Sequence, residues 1–145
     1  MRLVILEGIN ASGKTTARNT LEEFLPPELT TFTHWGAPDK TYEGPALEYW
    51  KNAIVKAIPQ TPKRGHVVVW DRSFIGNFIY GNFKKDQIAI TKEECEELLR
   101  WLGSIFKRID IYLFRITYAS AKDRQKATGE NYVTPKEDYT LQKEY

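Results

Sequence analysis

Residues Gly8-Ile9-Asn10-Ala11-Ser12-Gly13-Lys14-Thr15 satisfy every fixed position of the pattern G-x-x-x-x-G-K-[ST]. The spacing has a physical reason. A loop of this length turns successive backbone N–H groups inward to form an anion-binding nest, and the helix that follows aims the positive end of its dipole at the same point. Gly8 and Gly13 allow the backbone angles and the close approach, Lys14 supplies a point charge for the β- and γ-phosphates, and Thr15 offers a hydroxyl to Mg²⁺. Loop residues Gly8, Asn10, Ala11, Ser12, Gly13, Lys14, Thr15 and Thr16 are therefore the candidate ATP-binding set. Further along, Asp71-Arg72-Ser73 follows the apolar run His66 to Trp70. A carboxylate there can hold Mg²⁺ or take the proton of an acceptor, and a guanidinium beside it can clamp a phosphate with its planar fork. Catalytic candidates are Lys14, Asp71, Arg72 and Arg124, with Thr15 and Asp71 as the metal candidates.

These groups need a scaffold, and the chain supplies one pattern repeatedly. Residues 2–7, 29–35, 66–70 and 109–114 read as strands, and residues 14–25 and 45–58 as helices closed by Pro26 and Pro59. Residues 74–83 read as an interrupted helix. Thr91 and Glu94 form a capping box for a helix running to about Arg108, and a short basic helix occupies 119–127. Apolar strands alternating with helices imply an α/β fold, a three-layer arrangement with a mostly parallel central sheet, as a single domain over 1–145. Ligands in such folds sit at the carboxyl ends of the strands. Gly8 to Thr16, Trp35 to Lys40, Asp71-Arg72 and Arg115 all fall there.

An acceptor base calls for flat apolar surfaces, and Trp35, Phe74, Phe78 and Tyr80 lie on segments at that edge. Aromatics at helical spacing serve a core equally well, so packing and binding are both open for them. Trp35, Arg72, Phe74 and Tyr80 are the substrate-binding candidates.

The motifs resemble those of one family. Glu7 followed by Gly8 to Thr16 looks like the phosphate loop of thymidylate kinases and related deoxynucleoside and deoxynucleotide kinases. Asp71-Arg72-Ser73 resembles that group's acidic-Arg-Ser/Tyr/His motif, and Ala121 to Tyr132, with Arg124 and Lys126, is similar to its mobile lid, here about 117–134. The resemblance implies transfer of the ATP γ-phosphoryl group, with Mg²⁺, to a deoxynucleoside monophosphate such as dTMP. The chain departs from that family twice. Asn10 stands where thymidylate kinases commonly carry an acid that contacts the acceptor sugar. The implied fifth strand would follow the lid, yet the sequence stops at Tyr145, so the sheet is expected to lack its last edge strand, as a short protein or a fragment.

Bulk properties narrow the alternatives. With 145 residues, 41% hydrophobic, 28% charged and a net charge of +2, the chain is ordinary for a globular domain and carries too little charge to coat nucleic acid or a membrane surface. A single cysteine, Cys95, leaves no internal disulfide and suits a cytoplasmic location. The expected partner is a small-molecule nucleotide or nucleoside, with no membrane and no nucleic acid; a homodimer is left open. A deoxynucleoside kinase is the alternative activity, since Asp71-Arg72-Ser73 ends in Ser and Asn10 replaces an acid. A P-loop NTPase module without a small acceptor is the third reading; such modules usually place a second acid after the strand-end aspartate, where this chain has Arg72.

Overall fold

Two apolar runs, residues 2–8 and 67–71, are buried along most of their length and form the inner strands of a covered sheet. The computed structural model describes residues 1–9, 12–83 and 88–115, without the side chains of Asn82 and Phe83. In chain order the elements are β1 (Arg2–Gly8), α1 (Lys14–Phe24), a 3₁₀ turn at Pro27–Leu29, β2 (Thr30–His34), α2 (Ala46–Ala57), β3 (Val67–Asp71), α3 (Phe74–Phe83), α4 (Lys92–Ile105) and β4 (Arg108–Phe114). The strands form one parallel sheet in the order β2-β3-β1-β4. The expected α/β class holds. The expected fifth strand, the 117–134 lid and the 119–127 helix lie outside the described residues.

Alternation along the strands divides the core between two faces. Leu3 and Ile5 of β1, with Val68 and Trp70 of β3, pack against Trp50 and Ile54 of α2, Phe74 of α3 and Leu98 and Leu102 of α4. Val4, Leu6 and Val69 point the other way, toward Ala17 and Leu21 of α1. Fully burying each large side chain contributes about 1.5–3 kcal/mol. The chain leaves β1 toward β2 on one side and leaves β3 toward β4 on the other. The direction of winding therefore reverses between β1 and β3, which opens a crevice outside their carboxyl ends.

The structure departs from the sequence reading in ways that bear on the site. Asp71 is the last residue of β3, not a residue after it, because it pairs with both Leu6 and His34. The α4 helix keeps its capping box, with Glu94 N donating to Thr91 Oγ1 and Thr91 N to Glu94 Oε2, but ends at Ile105 and not near Arg108. Phe106 is extended there, Lys107 N donates to Met1 O, and Arg108 is captured by Arg2 in the β1–β4 register. The helix read as interrupted, α3, runs continuously from Phe74 to Phe83. Gly76 lies in its first turn, where its N–H, which has no partner within the helix, donates to Glu7 Oε1. A buried Asn77 also braces α3: its Oδ1 accepts from Trp50 Nε1 at 3.1 Å and from Ile90 N at 3.3 Å, and its Nδ2 donates to Ile88 O at 2.8 Å. No helix among the described residues is long and apolar enough to cross a membrane.

Candidate active site at the carboxyl ends of β1 and β3

At Gly8 the strand β1 turns with φ at +145°, and a Cβ there would lie 2.5 Å from the Phe114 carbonyl oxygen, so only glycine lets the loop leave so close to β4. Gly13, at φ +102°, turns the chain into α1. The helix has no side-chain cap and no acid in its first turn, so its positive end is left for an anion. Lys14 is the first helical residue and is buried. Its ammonium donates to Gly8 O at 2.8 Å, to Ser12 Oγ at 3.2 Å and to Ile9 O. The charge therefore lies within the loop, where phosphate oxygens would compete for it. Thr15 and Thr16 are exposed on the first turn. Asn10 and Ala11 lie outside the described residues.

The end of β3 is stitched to both neighbours. Arg72 N donates to Leu6 O at 2.9 Å, and Trp35 N donates to Asp71 O at 3.0 Å. Asp71 is buried, and its Oδ2 lies 3.0 Å from His34 Nδ1. Arg72 has φ at +69°, the only non-glycine residue at positive φ among those described. A backbone of that kind costs on the order of 1–3 kcal/mol and persists only where neighbours over-determine it. The guanidinium carbon lies 6.0 Å from the centroid of the Tyr80 ring, a cation–π distance.

Between the two motifs lies Glu7, 1% exposed. Its Oε1 accepts from Ser73 Oγ and from Gly76 N at 3.3 Å, while Oε2 has no hydrogen-bond partner among the described residues. Burial holds its carboxyl above the ordinary carboxylate range, against the bonds from Ser73 and Gly76 and the nearby charges of Arg72 and Lys14.

The aromatic candidates divide. Trp35 is half-buried, edge-on to Trp70 at 5.4 Å and tilted toward Trp50 at 5.5 Å, and Tyr80 is also half-buried. Phe74, by contrast, is fully buried against Trp50 and presents no face to the crevice; the sequence reading of it as substrate-binding gives way to core packing. Trp50 is likewise core, and Phe78 is partly buried against the same cluster. Arg115 is exposed just past β4. Arg124 lies outside the described residues. The geometry thus brings together Gly8, Ser12, Gly13, Lys14, Glu7, Asp71, Arg72 and Ser73. Sequence reasoning gave no role to Glu7 or His34. The signals for Glu7 were a carboxylate ending an otherwise apolar strand and its place directly before the phosphate loop; His34 is separated from Asp71 by 37 positions and meets it only through the β2–β3 register.

A parallel sheet whose first strand runs into this loop and helix is an α/β fold, and solved structures share it. The YorR protein of Bacillus subtilis, solved in complex with phosphorylated GDP, superposes with a TM-score of 0.68 at 19% identity, over 98% of this chain and 77% of that one. Polyphosphate kinase 2 of Arthrobacter aurescens TC1 gives 0.61 at 18% identity, over 90% of this chain and 46% of that one. A putative polyphosphate kinase 2 of Pseudomonas aeruginosa PA01 gives 0.61 at 18% identity, over 99% of this chain and 31% of that one. The chain thus spans less than half the length of either polyphosphate kinase. No family model and no curated protein sequence matches it.

Proposed function

We propose that the chain is a phosphotransferase that moves the γ-phosphoryl group of ATP to a nucleotide-type acceptor, with a deoxynucleoside monophosphate such as dTMP as the first compound to test. One observation carries this reading: Arg72 N is bonded to Leu6 O, two residues before the phosphate loop begins, so the strained Asp71–Arg72 turn sits beside the loop that would hold the donor. Phosphoryl transfer asks for such positioning and for charge neutralisation more than for covalent chemistry.

Lys14 and the loop amides would hold the donor phosphates, and Arg72 would clamp the acceptor phosphate. The Thr15 hydroxyl, exposed on the first turn of α1, and the Asp71 carboxylate would each offer an oxygen of the sort Mg²⁺ prefers. When bound, the ion would neutralise charge on the phosphates. Trp35 and Tyr80 would supply the surfaces for the acceptor base, and Arg124, on the 117–134 lid, would bring further positive charge. The likeness to YorR, solved with phosphorylated GDP, supports a nucleotide ligand, and the likeness to two polyphosphate kinases makes polyphosphate a second donor to try.

A second reading, a deoxynucleoside kinase, is favoured by the His34–Asp71 pair, which could take the proton of a neutral hydroxyl. The deciding experiment offers ATP-Mg²⁺ and polyphosphate to a panel of matched nucleosides and monophosphates and measures ADP and phosphorylated product separately. Transfer to a monophosphate supports the reading. ADP release with no phosphorylated acceptor would instead favour a hydrolysing module.

A further inference from the structure

Glu7 is an expensive residue where it stands. Its carboxyl is almost wholly removed from water, and one oxygen finds no partner among the described residues. A buried acid in that condition lowers stability relative to a neutral residue of the same shape. Its contacts point to what it does instead. Leu6 O holds Arg72 N, and Glu7 Oε1 holds Ser73 Oγ and Gly76 N. Ser73 Oγ in turn accepts from Ile75 N at 3.1 Å, so the first turn of α3 hangs on the same carboxyl. The next two residues of the chain, Gly8 and Ile9, accept from the Lys14 ammonium. Four consecutive residues, Leu6 to Ile9, thus grip the Asp71–Arg72–Ser73 turn with one pair and the phosphate-loop lysine with the other.

We propose that Glu7 is a positioning residue that locks the Asp71–Arg72–Ser73 turn to the phosphate loop, so that donor-binding and acceptor-binding groups are held as one unit. The kinetic part of this inference rests on the phosphotransferase reading above; the lock itself does not. Arg72 supplies the reason a lock is required. Its backbone sits at φ +69° and relaxes unless both of its flanks are pinned. Leu6 pins one flank through the backbone, and Glu7 pins the other through Ser73.

The test uses the full chain with Glu7→Ala, Glu7→Gln and Ser73→Ala, each shown to be folded by circular dichroism. Glutamine keeps the accepting Oε1, so it separates the lock from the charge. Amide exchange is the first readout. Exchange at Arg72 and Gly76 should speed by about tenfold or more in Glu7→Ala, with α4 amides unchanged, and return close to wild type in Glu7→Gln, as expected when a local opening is released without global unfolding. The second readout is kinetic. Affinity for a fluorescent ATP analogue should stay within about threefold, while kcat falls and the acceptor KM rises by about tenfold or more in Glu7→Ala, since misplacement costs the transfer step more than donor binding. Ser73→Ala should give the same pattern, and the double variant no more than either alone. Unchanged exchange at Arg72 and Gly76 in Glu7→Ala overturns the lock, as does Glu7→Gln behaving like Glu7→Ala. Wild-type protein that transfers nothing to any acceptor removes the phosphotransferase reading, while the exchange data still decide the lock.

Discussion

His34 and Asp71 are register partners across the β2–β3 pair, and the imidazole Nδ1 lies 3.0 Å from the buried carboxylate Oδ2. The aspartate is thereby aimed by a neighbouring strand and not only by its own. The imidazole is more than half exposed, so its worth as an ion pair is screened and its main effect is orientation.

His34→Ala should therefore leave the protein folded and lower the transfer rate by about five- to tenfold, the scale of one hydrogen bond to a charged group at a partly solvated site. His34→Asn, whose amide can donate from nearly the same place, should recover part of that loss. Steady-state kinetics on the three proteins check it; equal rates for all three would remove His34 from the site.

Lys14→Ala is the sharper substitution. The ammonium holds the Gly8 and Ile9 carbonyls and the Ser12 hydroxyl, so its removal takes away both the charge proposed to meet phosphate and these three contacts. Far-ultraviolet circular dichroism should stay native, because the sheet and α1 do not depend on it. Transfer should fall by about a hundredfold or more, as when a preorganised charge is removed from a transition state. Activity within a few-fold of wild type would end the phosphate-loop assignment.

How far the sequence could go is visible in which contacts are local. The loop was legible because its chemistry is written in eight consecutive residues, and the α4 start because Thr91 and Glu94 are three apart. Hydrophobic runs gave the strands to within a residue or two. What was not legible depends on register. Nothing in the sequence says that Leu6 faces Asp71, that Asp71 faces His34, or that a glutamate ending β1 will meet Ser73. The fate of Phe74 was hidden for a related reason. A phenylalanine opening a helix beside the carboxyl edge of the sheet reads the same whether it faces ligand or sheet, and only the crossing of α2 with Trp50 decides.

Cys95 should be inert in the folded protein. Burial, with the nearby negative charges of Glu7 and Glu96, pushes its thiol up to about 11. At pH 8 the thiolate is then on the order of one part in a thousand, and the thiolate is the reactive species. A maleimide or disulfide reagent should label the native chain slowly and the urea-unfolded chain at once. Rapid labelling without denaturant would mean that α4 opens readily.

Glu7 gives the chain a pH signature with a definite sign. Its folded pKa lies above the ordinary value of 4.5 because of burial. Below 4.5 the folded and unfolded chains both hold the proton and the site costs nothing extra. As pH rises past that point the unfolded chain releases its proton while the folded chain retains it, so stability falls until the raised folded pKa is passed, then levels off. Glu7→Gln is neutral throughout and lacks the effect. Thermal melts from pH 4 upward should show the variant gaining on wild type across that window. A gap that stays constant with pH would mean the carboxyl is not so buried in solution.

Arg72→Lys distinguishes the two acceptor readings. Arg72 follows a buried carboxylate at a strand end, its backbone is held at φ +69° by the bond to Leu6 O, and its guanidinium approaches Tyr80 at 6.0 Å. A carboxylate alone is enough to help a neutral hydroxyl lose its proton. A planar cation beside it matters when the acceptor is an anion approaching a donor that is also negative, because two parallel N–H bonds both fix and neutralise a phosphate. Lysine keeps the charge but loses the fork and the ring contact. A charge-assisted contact of this kind is worth roughly 1.5–3 kcal/mol. Use of a monophosphate should therefore weaken by about ten- to a hundredfold in kcat/KM, while use of the matching nucleoside changes little. Steady-state kinetics on nucleoside and monophosphate pairs read the difference directly. If the wild type prefers the bare nucleoside, and Arg72→Lys harms both acceptors alike, then the guanidinium serves the donor or the fold, and the nucleoside-kinase reading takes its place.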